Sequence, residues 1–296
     1  MTACPYCGKS NEDGSAWCIG CGSSLLPSHE PAAMAVSSRQ PSSKWVPYSL
    51  DARFATIVLI LTLASQVLCG IPIGVAQALV RIEGRGDKSK GDEALTNITL
   101  VVMIASPALS GIVTVASAIG FGRRFLIHAG PLGTGWCRCS PRGLVEGLVL
   151  GVALGVVVSL SNELLRAYVP YGHVRYHDLD PTNRLAFAPG LPRTLWVVAG
   201  VGFAPWSEEL LFRGVLYGGY RKTFGPSCAA LMTTGVFIVD HIHDVMNFPP
   251  AAGALAAVSA LGLWTRSRHG SIWSAVALHT GYNAILSYVT VHFMRL

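Results

Sequence analysis

The sequence predicts an all-α polytopic membrane helix bundle, of about seven or eight transmembrane helices, with a small N-terminal zinc-ribbon module. The composition is the first reason: of 296 residues, 51% are hydrophobic and 13% are charged, against about 25% charged residues in an average soluble protein. The second reason is a series of long apolar runs, with a mean hydropathy of +0.46. The third is a group of four cysteines near the N-terminus.

The N-terminal cysteines form a C-x2-C-x10-C-x2-C pattern made of Cys4, Cys7, Cys18 and Cys21. Two close pairs of thiolates suit tetrahedral zinc, so residues 1–26 are predicted to be a zinc ribbon with a structural zinc ion. Two disulfides in an exported tail are the alternative. Basic residues are few in this region, which argues against a nucleic-acid partner and favours contact with another protein.

The rest of the chain divides into a tether and a membrane domain. Residues 27–47 are rich in Pro, Ser and Ala and read as a flexible linker. Residues 48–296 are the predicted membrane domain. Its net charge of +6 is typical of basic loops beside a bilayer. The predicted spans lie near 54–80, 96–121, 143–169, 193–220, 226–243, 251–266 and 271–292.

The localisation follows from these elements. The chain is expected to be integral to the cell membrane and in contact with the lipid bilayer. The N-terminus is expected to be cytosolic, mainly because reduced thiolates for zinc persist there. Counts of Lys and Arg in the first two loops do not decide the orientation.

Two adjacent glutamates, Glu208 and Glu209, lie within the apolar stretch 204–214. A charged side chain at the centre of a membrane helix costs roughly 2.5–3.5 kcal/mol, so both require a partner or a role. On a helix, Glu209 and Arg213 share a face and can pair, while Glu208 lies about 100° around the axis. Glu208 can then face a cavity as a general base or a proton carrier. A structural ion pair in a transporter explains the segment equally well.

Two later segments carry further polar groups in apolar surroundings. Phe237 and His241 are four residues apart and share a helical face. Asp240, His243 and Asp244 crowd the same end, and Asp244 can orient the His241 ring if the helix continues. An interfacial polar cap is the alternative interpretation.

In the second of these segments, His279 and Asn283 again share a helical face. An imidazole N–H and a carboxamide N–H form a plausible donor pair for an oxyanion. Taken alone, such a pair more often makes helix–helix hydrogen bonds.

The ordered patterns E-E-x-x-x-R, F-x-x-x-H and H-x-x-x-N resemble the CPBP family of intramembrane proteases, which includes the type II CAAX prenyl endopeptidases. The resemblance covers about residues 190–290 and includes Ala-Pro before the glutamates and Phe-Arg-Gly after them. It implies a fold of polytopic helices and catalysis by a glutamate without an active-site metal. Zinc held by two histidines and a glutamate is the alternative. The implied catalytic residues are Glu208, His241, His279 and Asn283, supported by Glu209, Arg213 and Phe237.

By this resemblance, Glu208 activates water beside His241, with His243 as the fallback, and the pair His279 and Asn283 binds the oxyanion. The predicted function is an intramembrane endopeptidase that cleaves membrane-embedded or lipidated, CAAX-type peptides. A non-catalytic membrane scaffold or bacteriocin-immunity protein is a second interpretation. A proton-coupled transporter is a third.

Overall fold

The fold is seen in a computed structural model that describes residues 1–3, 10–15, 51–83, 97–102, 105–106, 108–109, 111–116, 134–136, 139–168 and 181–293. Most of these residues are helical, as the sequence predicts. The helices are α1 (Ala52–Glu83), α2 (Pro141–Tyr168), α3 (Pro181–Arg184), α4 (residues 191–224), α5 (Pro226–Asp240), α6 (Ile242–Asn247), α7 (Ala251–His269) and α8 (Ile272–Phe293). The described parts of 97–116 are helical as well.

Two described helices are long and apolar enough to cross a bilayer. They include the segments Ala52–Pro72 in α1 and Pro141–Leu165 in α2, and only 28% of each apolar window is buried inside the protein. The core helix of a soluble protein would bury most of such a window. Exposed apolar side chains such as Val67 and Leu160 instead suit contact with lipid. These two helices are therefore candidate membrane spans.

Helix α4 lies at the centre of the core. Its middle part, from Glu209 to Tyr220, is buried throughout and packs against α1, α5, α7 and α8. The helix is continuous, but its hydrogen-bond register changes four times. Its consecutive segments are Leu191–Val198 (α), Ala199–Phe203 (π), Ala204–Glu209 (α), Leu210–Leu216 (π) and Tyr217–Phe224 (α).

Helix α8 is held between α4 and α2. Against α2 it packs through glycines: a Cβ placed on Gly147 would lie 2.2 Å from the carbonyl oxygen of Ser274, and one on Gly151 would lie 1.9 Å from that of Leu278. Only a residue without a side chain allows two backbones to come so close. The small residues at four-residue spacing in α2 therefore fix where α8 lies.

Six of the seven predicted spans correspond to described helices, and the span 96–121 lies only partly within the described residues. Two of the helices are long and apolar enough to cross a bilayer, and one boundary differs from its prediction. The span expected to run from 226 to 243 ends at Asp240, because His241 has φ −102° and ψ 23° and interrupts the helix before α6 begins. Pro205 lies inside the continuous helix α4, two residues after the end of its first π segment.

The N-terminal region is described only in part. Two short antiparallel strands, β1 (Thr2–Ala3) and β2 (Ser10–Asn11), pair Thr2 with Asn11. The four cysteines of the predicted zinc ribbon and the linker 27–47 lie outside the described residues. The zinc ribbon and the domain boundaries therefore stay predictions.

Candidate active site

A buried ion pair in α4 forms the base of the site. Glu209 Oε1 lies 3.0 Å from Arg213 Nη1, and their side chains are 0% and 1% exposed. The two residues are four apart, as the sequence predicts for a pair on one helical face. Among the described residues, Glu209 Oε2 and the guanidinium nitrogens have no hydrogen-bond partner, so the contact is ionic rather than a well-aligned hydrogen bond. Neither charge can be removed without stranding the other in an apolar interior.

His279 of α8 connects the two glutamates. Its Nδ1 lies 2.9 Å from Glu209 Oε1, and its Nε2 lies 3.8 Å from Glu208 Oε2. Since a carboxylate only accepts hydrogen bonds, Nδ1 carries a hydrogen and donates it to Glu209. That bond fixes the tautomer of a neutral ring, and it leaves Nε2 directed toward Glu208. Sequence reasoning placed His279 beside the site but did not find this bridge.

Glu208 differs from Glu209 in its surroundings. Its side chain is 22% exposed, whereas that of Glu209 is fully buried. Its Oε2 has no hydrogen-bond partner within the part of the chain that the structure describes. The expectation that Arg213 holds one of the two carboxylates agrees with the position of Glu209, and the cavity expected in front of Glu208 stays a prediction. Of the two side chains, only that of Glu208 has exposed surface.

Phe237 and His241 close the site from α5. The Phe237 ring lies under the Arg213 guanidinium, whose central carbon is 4.6 Å from the ring centroid, and it meets the His279 ring edge to face at 6.1 Å. The rings of Phe237 and His241 have centroids 4.7 Å apart. Phe237 therefore packs against both the cation of the buried pair and the histidine that bridges the glutamates.

The two candidate histidines of this segment have different environments. His241 Nδ1 donates to the Phe237 carbonyl oxygen at 3.0 Å, and the ring lies within electrostatic range of Glu208. His243 is exposed and contacts Asn247 at 3.2 Å. The helix break at His241 separates them, and it also replaces the expected orientation by Asp244 with the bond to Phe237. Of the two, His241 is the one that lies within electrostatic range of Glu208.

Asn283 contacts the backbone of α4 rather than the carboxylates. Its Nδ2 donates to the Gly200 carbonyl oxygen at 2.7 Å. Gly200 belongs to the first π segment, and sequence reasoning gave no reason to single it out. One amide hydrogen of Asn283 is thus engaged, and the second is left for another acceptor.

Two further features border the site. Gly262 of α7 lies over the buried ion pair: a Cβ there would come within 3.3 Å of Arg213 Nε and 3.6 Å of Glu209 Oε2. An apolar groove of about 480 Å³ lies beside Trp206, two residues before Glu208, and Phe203, Trp273 and Val276 also line it. Within the described residues, no three Cys, His, Asp or Glu side chains come together as metal ligands would.

The comparisons with known proteins bear on the same segment. Residues 190–285 match the family model described as Type II CAAX prenyl endopeptidase Rce1-like. No curated protein and no solved structure matches the chain. The matched range begins at α4 and ends within α8, so it contains every residue of the site described above. Residues 190–285 are thus similar to an Rce1-like type II CAAX prenyl endopeptidase domain, and this similarity supports a membrane protein with a protease activity of the CAAX type.

Proposed function

We propose that this protein is an intramembrane endopeptidase in which Glu208 activates water, with His241 beside it, to hydrolyse a peptide bond. The observation that carries the proposal is the contrast between two neighbouring carboxylates. Glu209 is wholly buried and paired, while Glu208 is partly exposed and has an oxygen without a hydrogen-bond partner in the described residues. A general base must be able to reach the proton it takes, and Glu208 meets that condition.

The supporting residues hold Glu208 and its partners in place. Arg213 neutralises Glu209, and Glu209 in turn orients His279 through Nδ1. Phe237 packs against both Arg213 and His279. Because these groups are buried, their positions do not have to reorganise during the reaction.

The oxyanion of the tetrahedral intermediate is assigned to His279 and Asn283. Donation from His279 Nε2 requires the ring to carry its second proton, since Nδ1–H already binds Glu209. Asn283 offers the amide hydrogen that is not bonded to Gly200. Two such donors beside a carboxylate base can hydrolyse an amide without a covalent intermediate, so the proposed mechanism needs no active-site metal.

The substrate is proposed to be a membrane-embedded or lipidated peptide of the CAAX type. The apolar groove lies against the same helix as the carboxylate base, beside Trp206, two residues before Glu208, and its size and apolar lining suit the apolar chain of such a substrate. Apolar pockets with a few polar groups at one end are typical of small-ligand sites.

The N-terminal module is proposed to be a zinc ribbon that binds a protein partner. Its pattern of Cys4, Cys7, Cys18 and Cys21 supports four-thiolate coordination. Metal analysis of the purified chain should find about one zinc per molecule, and Cys4→Ser with Cys7→Ser should remove it while peptide cleavage continues. Zinc retained by this double variant would contradict the assignment.

The test of the catalytic proposal compares new peptide N-termini in membranes that contain the wild type or Glu208→Gln at equal levels. Glutamine keeps the size of the side chain but cannot take a proton, so termini that depend on the wild type should disappear. His243→Gln is the matched control, because His243 is exposed and its ring contacts Asn247. It should cleave like the wild type.

Each other outcome points to another function. Cleavage by Glu208→Gln at the wild-type rate would refute the glutamate mechanism. If the folded wild type yields no new termini, a scaffold or immunity role becomes the better interpretation. Proton-driven solute flux in proteoliposomes that stops in Glu208→Gln would instead indicate a transporter.

A further inference from the structure

The Gly200 carbonyl of α4 has no backbone donor of the usual helical kind. In an α-helix the Gly200 carbonyl would accept the N–H of Ala204, but Ala204 donates to Ala199, five residues back. In that π register the Gly200 carbonyl would accept from residue 205, which is proline and has no N–H. The π segment and Pro205 together therefore leave the Gly200 carbonyl available.

Asn283 takes the place of the missing donor. Its Nδ2 lies 2.7 Å from the Gly200 oxygen, a short distance for an N–H···O bond. An amide that donates one hydrogen to a fixed carbonyl has its plane and its second hydrogen oriented as well. The bond thus does more for Asn283 than join two helices, because it sets the direction of the remaining donor.

The same two helices are joined one turn earlier by the bond from His279 to Glu209. Helix α8 is therefore attached to α4 at two levels, once on each side of Glu208 along α4. Both groups assigned to the oxyanion are held by α4 itself, one through a carboxylate and one through a carbonyl. Their relative position depends on the register of residues 199–205.

We propose that Pro205 is a positioning residue: by lacking an N–H it keeps the Gly200 carbonyl available to Asn283 and so orients the amide that faces the reaction. This inference rests on the proposed protease function. It assigns a role to a proline that touches neither the carboxylate base nor the substrate.

The substitution Pro205→Ala tests the proposal, because alanine restores an N–H in the π register of Gly200. A carbonyl can accept two bonds, so the new donor would pull the carbonyl toward the axis of α4 and away from α8. Since displacement of a reacting group by about 1 Å can cost about a hundredfold in rate, kcat should fall at least about tenfold while KM changes less than about twofold. Pro192→Ala, in the first turn of the same helix, is the matched control and should change neither.

A double-mutant cycle separates positioning from a general loss of structure. In an Asn283→Ala background, Pro205→Ala should lower kcat by less than about twofold further, because the amide it acts on is gone. An equal reduction in both backgrounds would show that Pro205 matters only for packing. A wild-type kcat in Pro205→Ala would overturn the proposal directly.

NMR of the Asn283 side-chain amide tests the positioning role of Pro205 without any cleavage assay. The chain has six asparagines, so selective ¹⁵N labelling gives few side-chain amide signals, and the one missing in Asn283→Ala belongs to Asn283. Its proton shifts should move in Pro205→Ala and stay in place in Pro192→Ala. Unchanged shifts in Pro205→Ala would refute the positioning role, whereas wild-type cleavage by Glu208→Gln would refute the proposed mechanism and leave this result intact.

Discussion

Helix α8 has two faces that are held in different ways. Toward α2 it packs through close backbone contacts: a Cβ on Gly281 would lie 2.8 Å from the Leu148 carbonyl oxygen, and Gly147 and Gly151 approach the α8 backbone in return. Toward α4 it presents His279 and Asn283, each bonded to a group of that helix. Only the α4 side lies wholly within the range 190–285 that matches the protease family.

The two faces of α8 have different roles: one fixes its position by close packing, and the other provides polar groups. Close packing of backbones fixes the distance and height of α8 but offers no chemistry, since glycine has no side chain. The polar face offers chemistry, but each of its charges is costly unless it is paired. The close packing against α2 therefore supports α8 on one side, so that His279 on its other side meets the glutamates at a defined position.

The largest effect is expected from breaking the polar face at Glu209. The substitution Glu209→Gln keeps the shape of the side chain but leaves the Arg213 guanidinium, 1% exposed, without its counter-charge. Removing one partner of a buried ion pair costs about 3–5 kcal/mol. The unfolding free energy in detergent should fall by this order. Glu208→Gln is the matched control, and its partly exposed side chain should leave the unfolding free energy unchanged.

Glu208→Gln and Glu209→Gln make the same chemical change at adjacent residues, so a difference between them reflects only their surroundings. If both variants unfold at the same denaturant concentration as the wild type, Glu209 does not stabilise the fold through Arg213. If both are destabilised equally, the distinction between a structural and an accessible carboxylate is wrong. Only a loss confined to Glu209→Gln supports it.

Much of the polar face could be predicted because helical periodicity is simple. The spacing of Glu209 and Arg213 by four residues places them on one side of a helix, and the same holds for His279 and Asn283. Those positions are set by the backbone repeat before any tertiary contact forms. The sequence therefore predicted which side chains share a face. The bridge that His279 makes between the glutamates depends on how α8 packs against α4, which the helical repeat does not determine.

The parts that escaped prediction all depend on departures from the ideal repeat. Nothing in the composition of residues 199–203 indicates a π segment, and Pro205 is the only local signal that the hydrogen bonds of α4 are irregular. The choice of His241 over His243 depends on where α5 ends, and the helical repeat alone does not mark His241 as the point of the break.

A substitution in the glycine contact between α2 and α8 should change the unfolding free energy by less than Glu209→Gln does. A second glycine variant serves as its control. In Gly151→Ala the new Cβ meets the Leu278 carbonyl oxygen, which is backbone and cannot rotate away, so α2 and α8 must separate. Overpacking of this kind costs about 1–3 kcal/mol. Gly235→Ala in α5 has nothing within 4 Å of the new Cβ and should stabilise its helix by about 0.5–1 kcal/mol. If Gly151→Ala lowers the unfolding free energy and Gly235→Ala raises it, close packing against α2 fixes the position of α8. A stabilised Gly151→Ala would show that this contact does not fix it.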